Sequence, residues 1–201
     1  WPAALWTDKS LEQAIADAEA AYAGLPELPD RLSRHLDLTL KAAGTLRALR
    51  YLDRDPDHRR RMTVHVGKTG IAATYFWDTG ASLPGLALMR ESEAAAGAVR
   101  TLTSGIRPDG TPPVTYGGGE YLYSYQPPIL AWGLGHYLAL CPDPALLAEA
   151  YEPLARYVRH WQDRYTVSRG LVIHPPGGTA LDDALRWHTG SPLEPRAGRA
   201  W

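Results

Sequence analysis

Apolar residues at helical spacing, in one segment after another, limit what this chain can fold into more than any other feature. Leu32, Leu36, Leu40 and Ala43 recur at intervals of three or four, and Leu46 and Leu49 continue the stripe. Residues so spaced share one face of a helix, and that face has to be buried. Ser10-Leu11-Glu12-Gln13 has the form of a capping box, in which side chains satisfy the orphan N–H groups of a helix start. The alanine-rich stretch after it predicts a helix to about Tyr22, stopped at Gly24. Pro29 and Asp30 open a second helix, which Asp53 to Pro56 ends.

Further helices are predicted from Trp77 to Met89, with a kink at Pro84, and from Ser92 to Thr103, capped by Gly105. Another starts at Gln126-Pro127-Pro128, where prolines suit the first turn, and runs through Leu140. It is apolar nearly all round, so burial is expected. Asp143-Pro144 opens the next helical region, and Tyr151 to Tyr165 is amphipathic, kinked or restarted at Pro153. Ala180 to Trp187 begins one more. Short extended pieces are expected at Thr63-Val64-His65-Val66 and Leu171-Val172-Ile173. Ile106 to Tyr125 has no helical pattern and reads as a long loop rich in glycine and proline. Such loops inside a compact domain are usually functional. There is no βαβ alternation and no strong internal repeat, so antiparallel helical hairpins set side by side, an all-α fold, fit best.

Composition excludes several classes. Lys+Arg number 21 against 22 Asp+Glu, giving a net charge of -1 and no general attraction to nucleic acid or an anionic membrane. His58-Arg59-Arg60-Arg61 is the basic cluster, and it follows Asp53, Asp55 and Asp57, so a solvated turn is expected there. Cys141 is the single cysteine, which leaves no intramolecular disulfide and no site with two cysteine ligands. His58, His65, His174 and His188 lack metal-ligand spacing, so no metal and no cofactor are expected. Gly67-Lys68-Thr69 fails as a P-loop because Met62 stands where the first glycine belongs. No apolar run approaches the ~20 residues of a membrane span, and no signal peptide is visible, so a cytoplasmic location is the default expectation.

Seven Trp and eleven Tyr stand against one Phe. Core packing does not require that bias. Tyr and Trp pair an apolar face with a hydrogen-bonding tip, which suits sugars, whose C–H groups stack while their hydroxyls seek polar partners. Three clusters carry matching chemistry. Tyr75-Phe76-Trp77-Asp78 sets aromatics beside a carboxylate at a loop–helix junction. Trp77 can stack on a sugar ring and Asp78 can accept from two vicinal hydroxyls; a helix-start acid beside core aromatics is the plainer alternative. Gly105-Ile106-Arg107-Pro108-Asp109-Gly110 is a rigid turn bearing both charges, ahead of Tyr121, Tyr123, Tyr125 and Gln126. Gln126 is placed to face the same end as Asp78, or it is simply a polar helix start. In Gly177–Trp187, Asp182 and Asp183 sit beside Arg186 and Trp187. Adjacent acids diverge, so they cannot form an acid–base pair, though one can act as a general acid. The alternative is a helix cap with Arg186 as its surface partner.

In this order the clusters resemble the trehalase-like glycoside hydrolases of families 37 and 63. Tyr75-Phe76-Trp77-Asp78 matches a Tyr-Trp-Asp segment; Gly105–Gly110 is similar to a Gly-x-Ile-Pro-Asn-Gly turn with one extra residue. Ser124-Tyr125-Gln126-Pro127-Pro128 matches Ser-Gln-Pro-Pro with Tyr inserted, and Gly178–Trp187 looks like Glu-Ser-Gly-x-Asp ending in Arg-Trp. Thr79–Leu86 also resembles the glucosidase domain of glycogen-debranching enzymes. Both groups share an (α/α)6 barrel. The resemblance spans roughly residues 70–190 and implies an inverting α-glycosidase with Asp182 as general acid, or Asp183 if the register shifts by one. It implies sugar binding by Tyr75, Trp77, Asp78, Arg107, Gln126, Arg186 and Trp187.

The departures from the pattern are Gly178 for the expected Glu, Ala180 for Gly, and Asp109 for Asn. The general base in those families is a Glu far downstream of the acid, and Glu194, in a proline-rich tail, is not nominated. Residues 1–201 are therefore expected to be one domain, the N-terminal half of a toroid whose remaining helices come from C-terminal sequence not present here. The expected substrate is a small α-glucoside or α-mannoside: trehalose, glucosylglycerate, mannosylglycerate or a short α-glucan. The alternative is a sugar-binding toroid without the base. A terpene cyclase is disfavoured, because Arg186 stands where an aspartate-rich metal motif needs its third acid.

Overall fold

A computed structural model describes residues 10–23, 30–54, 60–64, 73–123 and 126–165. Helix accounts for 68% of them. In chain order the elements are α1 (Leu11–Ala23), a 3-10 helix (Asp30–His35) running into α2 (Leu36–Ala48), and strands β1 (Arg50–Arg54), β2 (Arg60–Val64) and β3 (Thr74–Tyr75). There follow α3 (Phe76–Leu88), α4 (Ser92–Ser104), β4 (Pro113–Gly117), β5 (Glu120–Tyr123), α5 (Ile129–Leu140) and α6 (Pro144–Tyr165).

Two glycines decide how α3 meets α5. A Cβ on Gly80 would lie 2.7 Å from the carbonyl carbon and oxygen of Ile129, and one on Gly133 would collide with the Gly80 carbonyl. The two backbones therefore touch with no side chain between them. The contact at Gly80 joins the starts of both helices, while Cys141 Sγ reaches Ala87 O (3.5 Å) where both end. Start meets start and end meets end, so α3 and α5 run parallel. Outside them, Arg100 of α4 pairs with Glu149 of α6 (2.6 Å), and Gly110, beyond α4, abuts Arg156, one or two turns further along α6. These two helices also run parallel to each other. Helices that pack parallel to their next-but-one neighbour, in an inner and an outer layer, form a partial α/α toroid, the fold class expected from the patterning. Phe76, Leu83, Leu86, Leu102, Leu130, Leu146 and Tyr157 fill the space between the layers and are almost wholly buried.

Local rules hold at several helix starts. Ser10 Oγ accepts the Gln13 N–H (3.3 Å), half of the expected capping box, and Asp143 Oδ1 accepts the Leu146 N–H (2.9 Å) to open α6. Other expectations need correction. The second helix ends at Ala48, and Asp53 lies in β1, opposite Arg61 of β2. Arg60 and Arg61 are thus strand residues and not a turn, because cross-strand pairing takes up the polar backbone. The 106–125 segment is largely a hairpin: β4 pairs with β3 on one side and β5 on the other, in antiparallel register. Gly118 and Gly119 form its two-residue turn with φ of 61° and 88°, the conformation that matches strand twist and favours glycine.

Gly105 caps α4 with an ordinary right-handed φ of -83°. Its lack of a side chain serves packing, since a Cβ would stand 2.7 Å from Cδ1 of Tyr121. Pro153 neither ends nor restarts α6, which is continuous from Pro144 to Tyr165. The α5 helix is only half-buried: Leu130, Gly133, Leu134 and Tyr137 face the core, whereas Trp132 and Leu140 are 52% and 54% exposed. Hydrophobicity all round marked this helix as apolar, but only its flank toward α3 and the outer layer is covered by described residues. No helix among the described residues is long and apolar enough to cross a membrane. Gly24, His65, Val66, the 171–173 piece and the helix expected over 180–187 lie outside the described residues.

Candidate functional site

The parallel arrangement of α3 and α5 puts both helix starts at one end of the molecule. Tyr75, the last residue of β3, has extended backbone (φ -98°, ψ 139°) and is the N-cap of α3. Trp77 and Asp78 follow in the first turn, Trp77 half-buried and Asp78 exposed. Three residues before Ile129, where the backbone touches Gly80, stands Gln126, which is 7% exposed. Trp77 precedes Gly80 by the same three residues. Tyr75, Trp77, Asp78 and Gln126 are thus gathered at one helix end, where a carboxylate also benefits from the partial positive charge of the helix start.

The three-stranded sheet belongs to this end. Tyr75 pairs with Thr115 of β4, and Tyr116 faces Tyr121 across the hairpin, ring centroids 4.7 Å apart. The Tyr121 hydroxyl donates to Thr101 O (2.6 Å) and lies 3.0 Å from Ser104 Oγ, while the Tyr123 hydroxyl donates to Gly105 O (3.0 Å). Because α4 runs back against α3, its C-terminal carbonyls come to the same end and hold both tyrosines. The Arg107 guanidinium lies over the Tyr123 ring at 3.6 Å from the centroid, a cation–π stack that orients a planar, permanently charged fork. The Arg107 charge is also felt by the nearby Asp109 carboxylate, as one of the smaller influences that lower it.

The turn carrying Arg107 is rigid for identifiable reasons. Asp109 accepts the Thr111 N–H and Oγ1–H (2.9 Å each), Gly110 N–H donates to Arg107 O (2.9 Å), and Gly110 takes a φ of 88°. The bond from the Thr111 backbone N–H, then that from its hydroxyl, holds the Asp109 carboxyl below the ordinary aspartate range. His160 Nδ1 reaches the Asp109 carbonyl (2.9 Å) and fastens the turn to α6.

Five of the expected sugar-binding residues, Tyr75, Trp77, Asp78, Arg107 and Gln126, therefore share this end. Asp182, Asp183, Arg186 and Trp187 lie outside the described residues. No group of three or more His, Cys, Asp or Glu able to hold a metal occurs among the described residues. Tyr121 and Tyr123 were legible as aromatics but not as hairpin residues; the signal was Gly118-Gly119 between tyrosine-bearing runs. Nothing in the sequence pointed to Tyr157, fully buried on α6, whose hydroxyl donates to Gln126 O at 2.6 Å.

One family model matches the chain, over residues 73–199, and describes a mannosylglycerate hydrolase MGH1-like glycoside hydrolase domain. The match begins beside β3, the strand that delivers Tyr75 and leads into Trp77 on α3. No curated relative matches.

Proposed function

The chain belongs to the mannosylglycerate hydrolase MGH1-like glycoside hydrolase family, and on that footing we propose that it forms the sugar cradle and the acid side of an inverting α-glycosidase. The observation carrying this reading is the gathering of Trp77, Asp78 and Gln126 at the adjoining starts of two parallel helices. Trp77 stacks on the sugar, and Asp78 and the Gln126 amide take its hydroxyls. Asp182, or Asp183 in the shifted register, gives its proton to the departing glycosidic oxygen. Inversion requires a base across the ring, with carboxyls about 6.5–9.5 Å apart to admit a water. The resemblance to trehalase-like families 37 and 63 implies a glutamate downstream of the acid for that role, and we assign it to no residue of these 201. Residues 1–201 are read as one domain, part of a larger (α/α)6 barrel.

For the leaving group we propose a hydroxy acid such as glycerate. The family's description names mannosylglycerate, and Arg107, stacked on Tyr123 at the same end, has the planar fork that takes a carboxylate in two parallel bonds.

The test is hydrolysis by the full-length protein of mannosylglycerate, glucosylglycerate and trehalose, with the first-formed anomer read by NMR. The β-anomer should appear first. Asp182→Asn should lower kcat by about 10²–10⁴-fold, the usual worth of a general acid. Arg107→Ala should raise KM for the two glycerates and leave trehalose unaffected. First appearance of the α-anomer, or full activity in both Asp182→Asn and Asp183→Asn, refutes the mechanism. Sugar binding without any cleavage leaves a non-catalytic toroid.

A further inference from the structure

We infer that Tyr157 is a positioning residue for sugar binding, acting through Gln126 from the outer helix layer. The inference rests on the proposed role of Gln126 as a ligand to the sugar. Its basis is the way the chain enters α5. Pro127 and Pro128 have no backbone N–H, so the segment Gln126-Pro127-Pro128 is held by its carbonyls and by the backbone N–H and side-chain amide of Gln126 alone.

The first of those carbonyls, Gln126 O, accepts the Tyr157 hydroxyl at 2.6 Å. The other two turn inward to start the helix: Ile129 N–H donates to Pro127 O (2.7 Å) and Trp132 N–H to Pro128 O (3.2 Å). Tyr157 thus ties this entry to a different element. Its ring is fully buried and meets Phe76 edge-on, centroids 5.2 Å apart at 80°. Phe76 immediately precedes Trp77, so one side chain braces both helix starts that carry the cradle: α5 by its hydroxyl, α3 by its ring.

A residue ahead of proline is already confined to extended backbone. With its carbonyl also fixed, the Gln126 backbone has little freedom left, and the point from which its amide projects is set. Loss of the hydroxyl frees the segment while leaving the ring packed, so the sugar should bind less well without the chemistry slowing.

The experiment is kinetic, on the full-length protein with mannosylglycerate. Tyr157→Phe should raise KM about five- to tenfold, the effect of one net hydrogen bond, with kcat within about twofold. Leu146→Val, another buried change on α6, should lower Tm and leave KM alone. Gln126→Ala should raise KM, and Tyr157→Phe added to it should raise KM no further, because the two act through one group.

Equal KM for Tyr157→Phe and the parent, with Gln126→Ala impaired, overturns the inference and spares the role of Gln126. So does an additive double variant. Unchanged KM in Gln126→Ala removes the premise and the inference with it. If the parent binds the glycoside without cleaving it, the same comparisons are made on Kd by calorimetry, and they decide Tyr157 independently of the proposed chemistry.

Discussion

Replacing Gly80 by alanine tests the contact on which the whole arrangement depends. A Cβ there would stand 2.7 Å from the Ile129 carbonyl carbon and oxygen and 2.8 Å from the Leu130 nitrogen. All three are backbone atoms, so no rotamer change can relieve the overlap. Ordinary contact begins at 3.4 Å, so one helix must withdraw by roughly 0.7 Å; a gap of that size already forfeits about a quarter or more of the dispersion attraction between facing atoms. Overpacking of this kind costs about 1–3 kcal/mol. The upper part of that range applies, because Leu83, Leu130 and Leu134, packed along the same helices, move with the backbone. Against it stands the helix-propensity gain of alanine over glycine, about 1 kcal/mol. The net loss is about 2 kcal/mol, or about 4–8 °C in Tm for a chain of this length.

Gly135 supplies the control on the partner helix, since a Cβ there meets nothing within 4 Å. Gly135→Ala keeps the propensity gain and should raise Tm by about 2–4 °C. Thermal melts followed by circular dichroism at 222 nm compare the two directly. Gly80→Ala melting at or above the parent would mean that α3 and α5 do not touch by their backbones, and the convergence of Trp77 with Gln126 would lose its basis.

Two further outcomes are expected. Glu91 joins Arg47 (2.9 Å) and Arg50 (2.7 Å) at the turn between α3 and α4, with 15% of its side chain exposed, so Glu91→Gln should cost about 1–2 kcal/mol in urea melts at low salt; no loss would show the pairs to be ornamental. Thr111→Ala removes one of the two bonds that depress the Asp109 carboxyl, so an NMR titration should find that group titrating higher than in the parent. Because the folded-state value is the lowered one, the stabilisation from Asp109 is complete above the ordinary aspartate range and fades as pH falls through the depressed value. An unchanged titration would rule out the hydroxyl contact.

The sequence alone determined the helices with strong local signals: α3 and α4 within a residue or two, the start of α1 from Ser10, and the start of α6 from Asp143. These depend on capping chemistry and a 3.6-residue period, which act within a few residues. It also marked the aromatic and acidic clusters, because their residue types already carry the chemistry. What it left open were the features that depend on a distant partner. The strand β1 and the first part of β2 stayed hidden because their backbone pairing is a tertiary event, with only Thr63 and Val64 legible as extended. Gly105, legible as the cap of α4, gave no sign that its missing side chain makes room for the ring of Tyr121, sixteen residues on. The inner layer itself was decided by Gly80 and Gly133, whose missing side chains mean nothing until two helices meet. The bond from Tyr157 to Gln126 spans 31 residues, and only tertiary packing can create a contact of that range.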